Sequence, residues 1–318
     1  MGSLPNASFY DKLDASRVPD HFSRYPVAIS VAAAKVEAAL DRVDIEASEH
    51  NTRERRRAVI RHSNSHGNAF AICHCSAEPR RLVLLSSIVE VLWIHDGNQP
   101  CFSKLACHEH DVLAQVIRLD IQPSDRFENI RQRTLAPLLR QAIDIDPEAG
   151  PVLVEVLRDY IKTFDDRNHD FSTMAEYMPF RINHCGYWLS SYFIRWGVGM
   201  TMSPEDYSSI REYDIAMGNI LGLTNDYFSW NVEKSQPTDR IRNGVRVLMK
   251  EHGINDDAAK TLLLGIIVEQ ETKAARLKEE RLKKPVSREV ELYMEDIELF
   301  ASGSCYWHAT APRYKIFE

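Results

Sequence analysis

The chain lacks most of the features that mark broad functional classes. No apolar run approaches the ~18 residues of a membrane helix. No charged segment followed by a short apolar stretch and a small-residue cleavage site opens the sequence. The start MGSLPN puts Asn6 where a myristoylation signal carries Ser or Thr. We therefore expect a soluble, cytoplasmic protein with no membrane span. Six cysteines, at positions 73, 75, 101, 107, 185 and 305, never fall in C-x-x-C pairs, which suits reduced thiols. The run CHEHD, Cys107 to Asp111, has zinc-type side chains but no second ligand pair at a familiar distance, so a polar helix start is the preferred reading.

Positive charge is also scarce. With 39 basic and 46 acidic residues the net charge is −7, which argues against a partner that is nucleic acid or an anionic membrane surface. A small anionic ligand needs only a local cluster of Arg and Lys and stays open. Glycine-rich phosphate loops, alternating strand patterns and internal repeats are missing too, which removes Rossmann, P-loop and solenoid readings. No Pro/Gly/Ser-rich linker divides the 318 residues, so we expect one domain over 1–318 with an N-terminal extension of about 20 residues.

What is present is helical periodicity. Apolar spacing predicts helices over 27–43, 80–96, 108–121, 127–145, 151–167, 171–199, 204–234, 244–253, 257–284 and 287–310. Some are apolar nearly all round, as central helices of a large all-α bundle must be. The charged runs at 51–62 and 272–285 read as solvated helix faces. Gly186, inside the aromatic-rich segment 171–199, costs a helix ~1 kcal/mol relative to Ala, so either a local break or close packing is expected there.

Chemistry concentrates in LTNDYFSWNVEK. Asn225, Ser229 and Glu233 stand at i, i+4 and i+8, which on a helix turning ~100° per residue places them on one face, ~6 Å apart along the axis. Amide, hydroxyl and carboxylate oxygens suit a magnesium ion, although a plain polar stripe produces the same spacing. The surrounding Leu221, Leu223, Tyr227, Phe228 and Trp230 make this a buried stripe that needs partners. Asp96, at the end of an apolar helix, can oppose it. Arg181 offers a planar fork suited to diphosphate, and Arg313 and Tyr314 can reach a phosphate from the C-terminal segment.

These residues together resemble the class I terpene synthases. Asn225, Ser229 and Glu233 match the second metal motif of that family, Arg181, 44 residues upstream, resembles its diphosphate-sensing arginine, and APRY resembles its C-terminal Arg-Tyr pair. The stretches from Gly67 to Asp96 and from His110 to Ile117 are most similar to the cyclase domain of fungal enzymes that fuse a terpene cyclase to a prenyltransferase. The resemblance implies an all-α class I bundle with a central cavity. In it three Mg²⁺ ions and Arg181, Lys234, Arg313 and Tyr314 would hold a linear isoprenyl diphosphate, C20 or C25, for ionisation and cyclisation. It also implies metal ligation by Asp96, Asn225, Ser229 and Glu233, and a pocket wall of Phe70, Val89, Leu92, Trp188, Leu221 and Trp307. A prenyltransferase domain or partner and a homo-oligomer are the associations it suggests.

The chain departs from the family in three places. The acidic motif reads DGNQP, so Asp96 stands while Gly97 and Pro100 replace carboxylates. Val232 replaces the lysine before the final glutamate, and His184 replaces an acid three residues after Arg181. The alternative reading is therefore a repurposed or inactive cyclase fold that binds a terpenoid or a partner without ionising a diphosphate.

Overall fold

The computed structural model describes residues 8–96, 112–120, 122, 125–162, 170–235 and 242–314, without the side chains of residues 53, 54, 95 and 96. A short antiparallel pair, β1 (Tyr10–Leu13) and β2 (Val27–Ser30), in register Tyr10 to Ser30, precedes the helices. Helices α1 (Ala33–Glu46), α2 (Arg53–His62), α3 (Ala69–Cys73) and α4 (Pro79–Asp96) come first. Next are α5 (Ile130–Ile145), α6 (Ala149–Lys162), α7 (Met174–His184) and α8 (Tyr187–Gly197). The last set is α9 (Pro204–Ser209), α10 (Arg211–Glu233), α11 (Gly244–His252), α12 (Asp256–Leu282) and α13 (Arg288–Thr310), closed by a 3₁₀ turn at Pro312–Tyr314.

The all-α expectation holds, and local chemistry explains many of the boundaries. Thr52, Asn68, Asn129, Thr173, Ser203, Asn243, Asn255 and Ser287 each start a helix with a side-chain oxygen accepting a backbone N–H of the first turn. Five sequence expectations are corrected. The predicted helix 27–43 opens as strand β2 and turns helical only at Ala33. The predicted helix 204–234 divides at Ile210. The run 51–62 is not simply solvated, because α2 turns Arg61 and His62 inward. Of the predicted helix 108–121, residues 112–120 are described, and only 112–114 of them are helical before the chain turns.

The fifth correction concerns 171–199, which is two helices. Gly186 takes φ 75° and ψ 25°, the left-handed region, and starts α8 in a new direction. A β-carbon there would lie 2.8 Å from Tyr160 Cε2. Both expected explanations for Gly186 thus apply at once: the helix breaks, and a neighbouring ring fills the space.

Two apolar cores meet along α8. Tyr187 and Ile194 join α7, α10, α12 and α13 in one core, whereas Leu189, Phe193 and Trp196 join α4, α5 and α6 in the other. Helix α10 is buried along most of its length, including the polar residues Asp214, Thr224, Asp226 and Ser229. Asp214 is satisfied by three tyrosine hydroxyls, from Tyr187, Tyr207 and Tyr293. Gly186→Ala adds both a left-handed non-glycine residue and a clash with Tyr160. It should destabilise the fold by about 2 kcal/mol or more, read as a lowered midpoint in thermal or urea unfolding.

Candidate active site

The site is assembled on α10 and closed from one side by α7 and from another by the start of α11. The i, i+4 spacing puts Asn225, Ser229 and Glu233 along one face of α10, and Asp226 beside them turns toward α7. There it meets Arg181. The two form a buried ion pair at 2.8 Å between Arg181 Nη2 and Asp226 Oδ1. The other Asp226 oxygen accepts Tyr177 Oη–H at 2.7 Å and the Gly244 N–H at 2.9 Å.

Arg181 is satisfied on every side. Its Nη2 donates to Asn225 Oδ1 at 2.6 Å, Nη1 to His184 Nδ1 at 3.1 Å, and Nε to the Gly222 carbonyl at 3.4 Å. The stem crosses α10 at Gly222, where a β-carbon would stand 2.9 Å from Arg181 Cγ, so only glycine lets the arginine lie this close. Burial works against the Arg181 charge, but the Asp226 carboxylate together with Tyr177, Cys185 and Glu233 outweighs it and holds the guanidinium above its ordinary pKa. Burial pushes Asp226 up to about 6, with Arg181 and the Tyr177 hydrogen bond pulling the other way. At neutral pH the pair is ionised.

Both neighbouring histidines are neutral. Burial, with the Arg181 charge adding to it, pushes His184 down to about 3, which lets a ring nitrogen accept from the guanidinium where an acid was expected. Burial pushes His308 down to about 4, partly opposed by a hydrogen bond to the Ser304 carbonyl. That carbonyl, 2.6 Å from His308 Nδ1, can only accept, so Nδ1 carries the proton. His308 Nε2 therefore accepts from Asn225 Nδ2 at 3.0 Å. The Asn225 amide is oriented at both ends: nitrogen to His308, oxygen to Arg181.

Asn243, the N-cap of α11, completes the cluster. Its fully buried Nδ2 sits 3.2 Å from Ser229 Oγ, 3.1 Å from Glu233 Oε2 and 2.9 Å from the Asp226 carbonyl. One nitrogen reaching both Ser229 and Glu233 means that their oxygens converge on a single point, occupied here by a partly positive N–H group. With two N–H hydrogens for three oxygens, Asn243 leaves that point electron-rich. This hard-oxygen set suits a divalent cation such as Mg²⁺. Asn225 faces Arg181 instead and would have to share or release that contact to join a metal.

The remaining sequence-predicted residues divide clearly. Tyr314 is buried and stacks on His308, with ring centroids 4.8 Å apart, and the Arg313 guanidinium lies 5.1 Å above the Tyr314 ring. Lys234 is exposed, and its ammonium pairs with Asp256 at 3.5 Å. Asp96 is the last residue of α4, and its side chain, with Gly97, Pro100 and Cys107 to Asp111, lies outside the described residues. Of the expected wall, Phe70, Leu92, Leu221 and Trp307 are buried and Val89 is half-buried. Phe70 stacks on Trp93 at 4.9 Å. Trp188 departs from the expectation: its Nε1 donates to exposed Asn183, and exposed Arg211 lies 5.0 Å over its ring.

Sequence reasoning missed Asp226, Tyr177, Asn243 and His308. Asp226 was the legible one, since a carboxylate inside an apolar helix needs a cationic partner, and Arg181 was already in view. Asn243 and His308 lie in other elements and gave no local signal.

Residues 106–273, more than half of the chain, match the model of terpene synthase family 2, C-terminal metal binding. Ophiobolin F synthase of Cochliobolus heterostrophus is 27% identical over 257 residues, covering 75% of this chain and 33% of that protein. Conidiogenone synthase of Penicillium rubens is 26% identical over 261 residues, covering 79% and 34%. The chain thus spans about a third of the length of these curated relatives. Aristolochene synthase from Penicillium roqueforti superposes with a TM-score of 0.79 at 19% identity, over 91% of this chain and 99% of that one, which shows a shared fold.

The neutral state of His308 carries a pH signature. Its folded pKa of about 4 lies below the ordinary value of ~6.5, so only the unfolded chain takes up this proton as pH falls between them. The stability is present above about pH 6.5 and is lost on the way down to pH 4. His308→Phe keeps the ring but has no such loss. The stability of the native chain relative to this variant should fall by up to ~1.4 kcal/mol per pH unit across that window in urea unfolding. A flat difference would contradict a neutral His308.

Proposed function

The chain belongs to terpene synthase family 2, and from that premise we propose that residues 1–318 act as one cyclase domain. The reaction is Mg²⁺-dependent ionisation and cyclisation of a linear isoprenyl diphosphate, with a C20 or C25 chain suggested by the fungal relatives. The observation that carries this is the bonded set Arg181, Asn225 and Asp226, which joins a diphosphate-type arginine directly to the helix bearing Ser229 and Glu233.

Divalent cations, three in the proposal, would be held by Asn225, Ser229 and Glu233 with Asp96 opposite, and would supply electrophilic pull on the diphosphate oxygens. The chain's own residues do the rest. Arg181 is preorganised by Asp226, His184 and Asn225, so a diphosphate competes for a guanidinium already aimed and already charged. Arg313 and Tyr314 add donors from the C-terminal turn. Lys234 can join them because an exposed pair such as Lys234–Asp256 is worth less than ~1 kcal/mol. Breaking the allylic C–O bond sends the electron pair out with diphosphate and leaves a cation on the isoprenoid. Apolar side chains such as Phe70, Leu92, Leu221 and Trp307 would exclude water from it, with aromatic faces stabilising the charge by ~1 to 2 kcal/mol each. A prenyltransferase domain or partner and a homo-oligomer belong to the same proposal.

DGNQP favours the alternative of a cyclase fold that binds without ionising, because one carboxylate stands where three were expected. Incubation with C15, C20 and C25 diphosphates, with and without Mg²⁺, followed by analysis of hexane extracts, separates the two. We expect cyclic product only with Mg²⁺, and a loss of two orders of magnitude or more, roughly 3 kcal/mol of transition-state stabilisation, in Asn225→Ala and Glu233→Ala. Gly97→Asp should raise turnover. Absence of product from every substrate would leave only the binding role.

A further inference from the structure

A second cluster of ligand-type side chains lies apart from the α10 site, between α1, α2 and α4. Asp44 on α1, His62 at the end of α2 and Glu90 on α4 are all buried, at 3%, 7% and 0% exposure. One ligand atom of each lies within 4.8 Å of the others. His62 Nε2 is 3.0 Å from Glu90 Oε2, yet neither atom makes a directed hydrogen bond. Asp44 Oδ1 and His62 Nδ1 have no hydrogen-bond partner either. Asp44 Oδ1 and His62 Nδ1 are thus left without a partner in buried side chains beside the His62–Glu90 pair, and an unpaired buried polar atom is costly.

We propose that Asp44, His62 and Glu90 form a structural site for a divalent transition metal of the zinc type. The 3.0 Å spacing is a few tenths of an ångström short of the ~3.3 Å edge of a tetrahedron whose corners lie ~2.0 to 2.1 Å from one metal, a gap a small side-chain shift closes. A mixed imidazole and carboxylate set favours zinc over magnesium, which prefers oxygen and keeps its waters. The dry surroundings agree: Leu40, Val43, Ala58 and Val91 are buried neighbours along the same helices. Arg61 takes the other Glu90 oxygen and lies 5.5 Å over the Trp93 ring, which leaves Glu90 Oε2 for the metal. The metal would clamp α1 and α2 onto α4 at Glu90, about 9 Å along the axis from Asp96, the last residue of that helix. It thereby fixes the helix that ends in the DGNQP segment.

The test uses the full chain stripped with chelator and titrated with Co²⁺ and then Zn²⁺. The expected result is one Co²⁺ per chain with visible ligand-field bands, displaced by Zn²⁺, retained in Glu233→Gln and lost in His62→Gln. Zn²⁺ should raise the melting midpoint of the native chain and of Glu233→Gln by about 4 °C or more, and not that of His62→Gln. No bands and no shift in the native chain, or equal binding by His62→Gln, would overturn the proposal. Should His62→Gln not fold, X-ray absorption at the zinc edge of the native chain decides. An imidazole among oxygens supports the site. A thiolate shell, pointing to the Cys107 segment, or an all-oxygen shell overturns it.

Discussion

The buried ion pair between Arg181 and Asp226 is the constraint on which the site depends. Two charges taken out of water are costly unless well paired, and removing one partner typically costs 3 to 5 kcal/mol, roughly half the stability of a marginal domain. The pair is therefore held by everything around it. Tyr177 and the Gly244 N–H satisfy the carboxylate, His184 and Asn225 satisfy the guanidinium, and Gly222 gives the arginine stem room to reach. The break at Gly186 ends this arrangement by turning the chain away just after His184 and Cys185.

A site so fully hydrogen-bonded is poised rather than open. Arg181 is occupied by protein acceptors, and the Asn243 amide stands between Ser229 and Glu233. Ligand binding must exchange these contacts for stronger ones, a cation for an N–H dipole and a diphosphate for neutral acceptors. Charge-assisted contacts are roughly twice as strong as neutral ones, so in the proposed role a bound cation and a bound anion would each favour the exchange that the other needs. That coupling would keep the arginine and the metal ligands from acting separately. The neutral His308, bonded to Asn225 and stacked on Tyr314, ties the C-terminal turn into the same exchange.

Much of the architecture was legible because helical periodicity and capping are local. The segments 80–96, 127–145, 244–253 and 287–310 appear within a few residues of their expected bounds. The errors came where tertiary context decides: β2 exists only because Tyr10–Leu13 pairs with it, and α2 turns Arg61 and His62 inward because Glu90 waits on α4. In the site, the i, i+4, i+8 pattern and Arg181 could be read from the sequence. Asn243 and His308 could not, since their roles arise from α11 and α13 meeting α10. Nor could the Lys234–Asp256 contact be read, since it depends on where the start of α12 lies relative to the end of α10.

The central claim is that Arg181 and the α10 oxygens act as one metal-coupled diphosphate site. Calorimetric titration of inorganic pyrophosphate into the protein tests it directly. The account predicts binding with Mg²⁺, little or none without it, and its loss in both Arg181→Gln and Glu233→Gln. Equal binding with and without Mg²⁺, or binding retained in either variant, would contradict it.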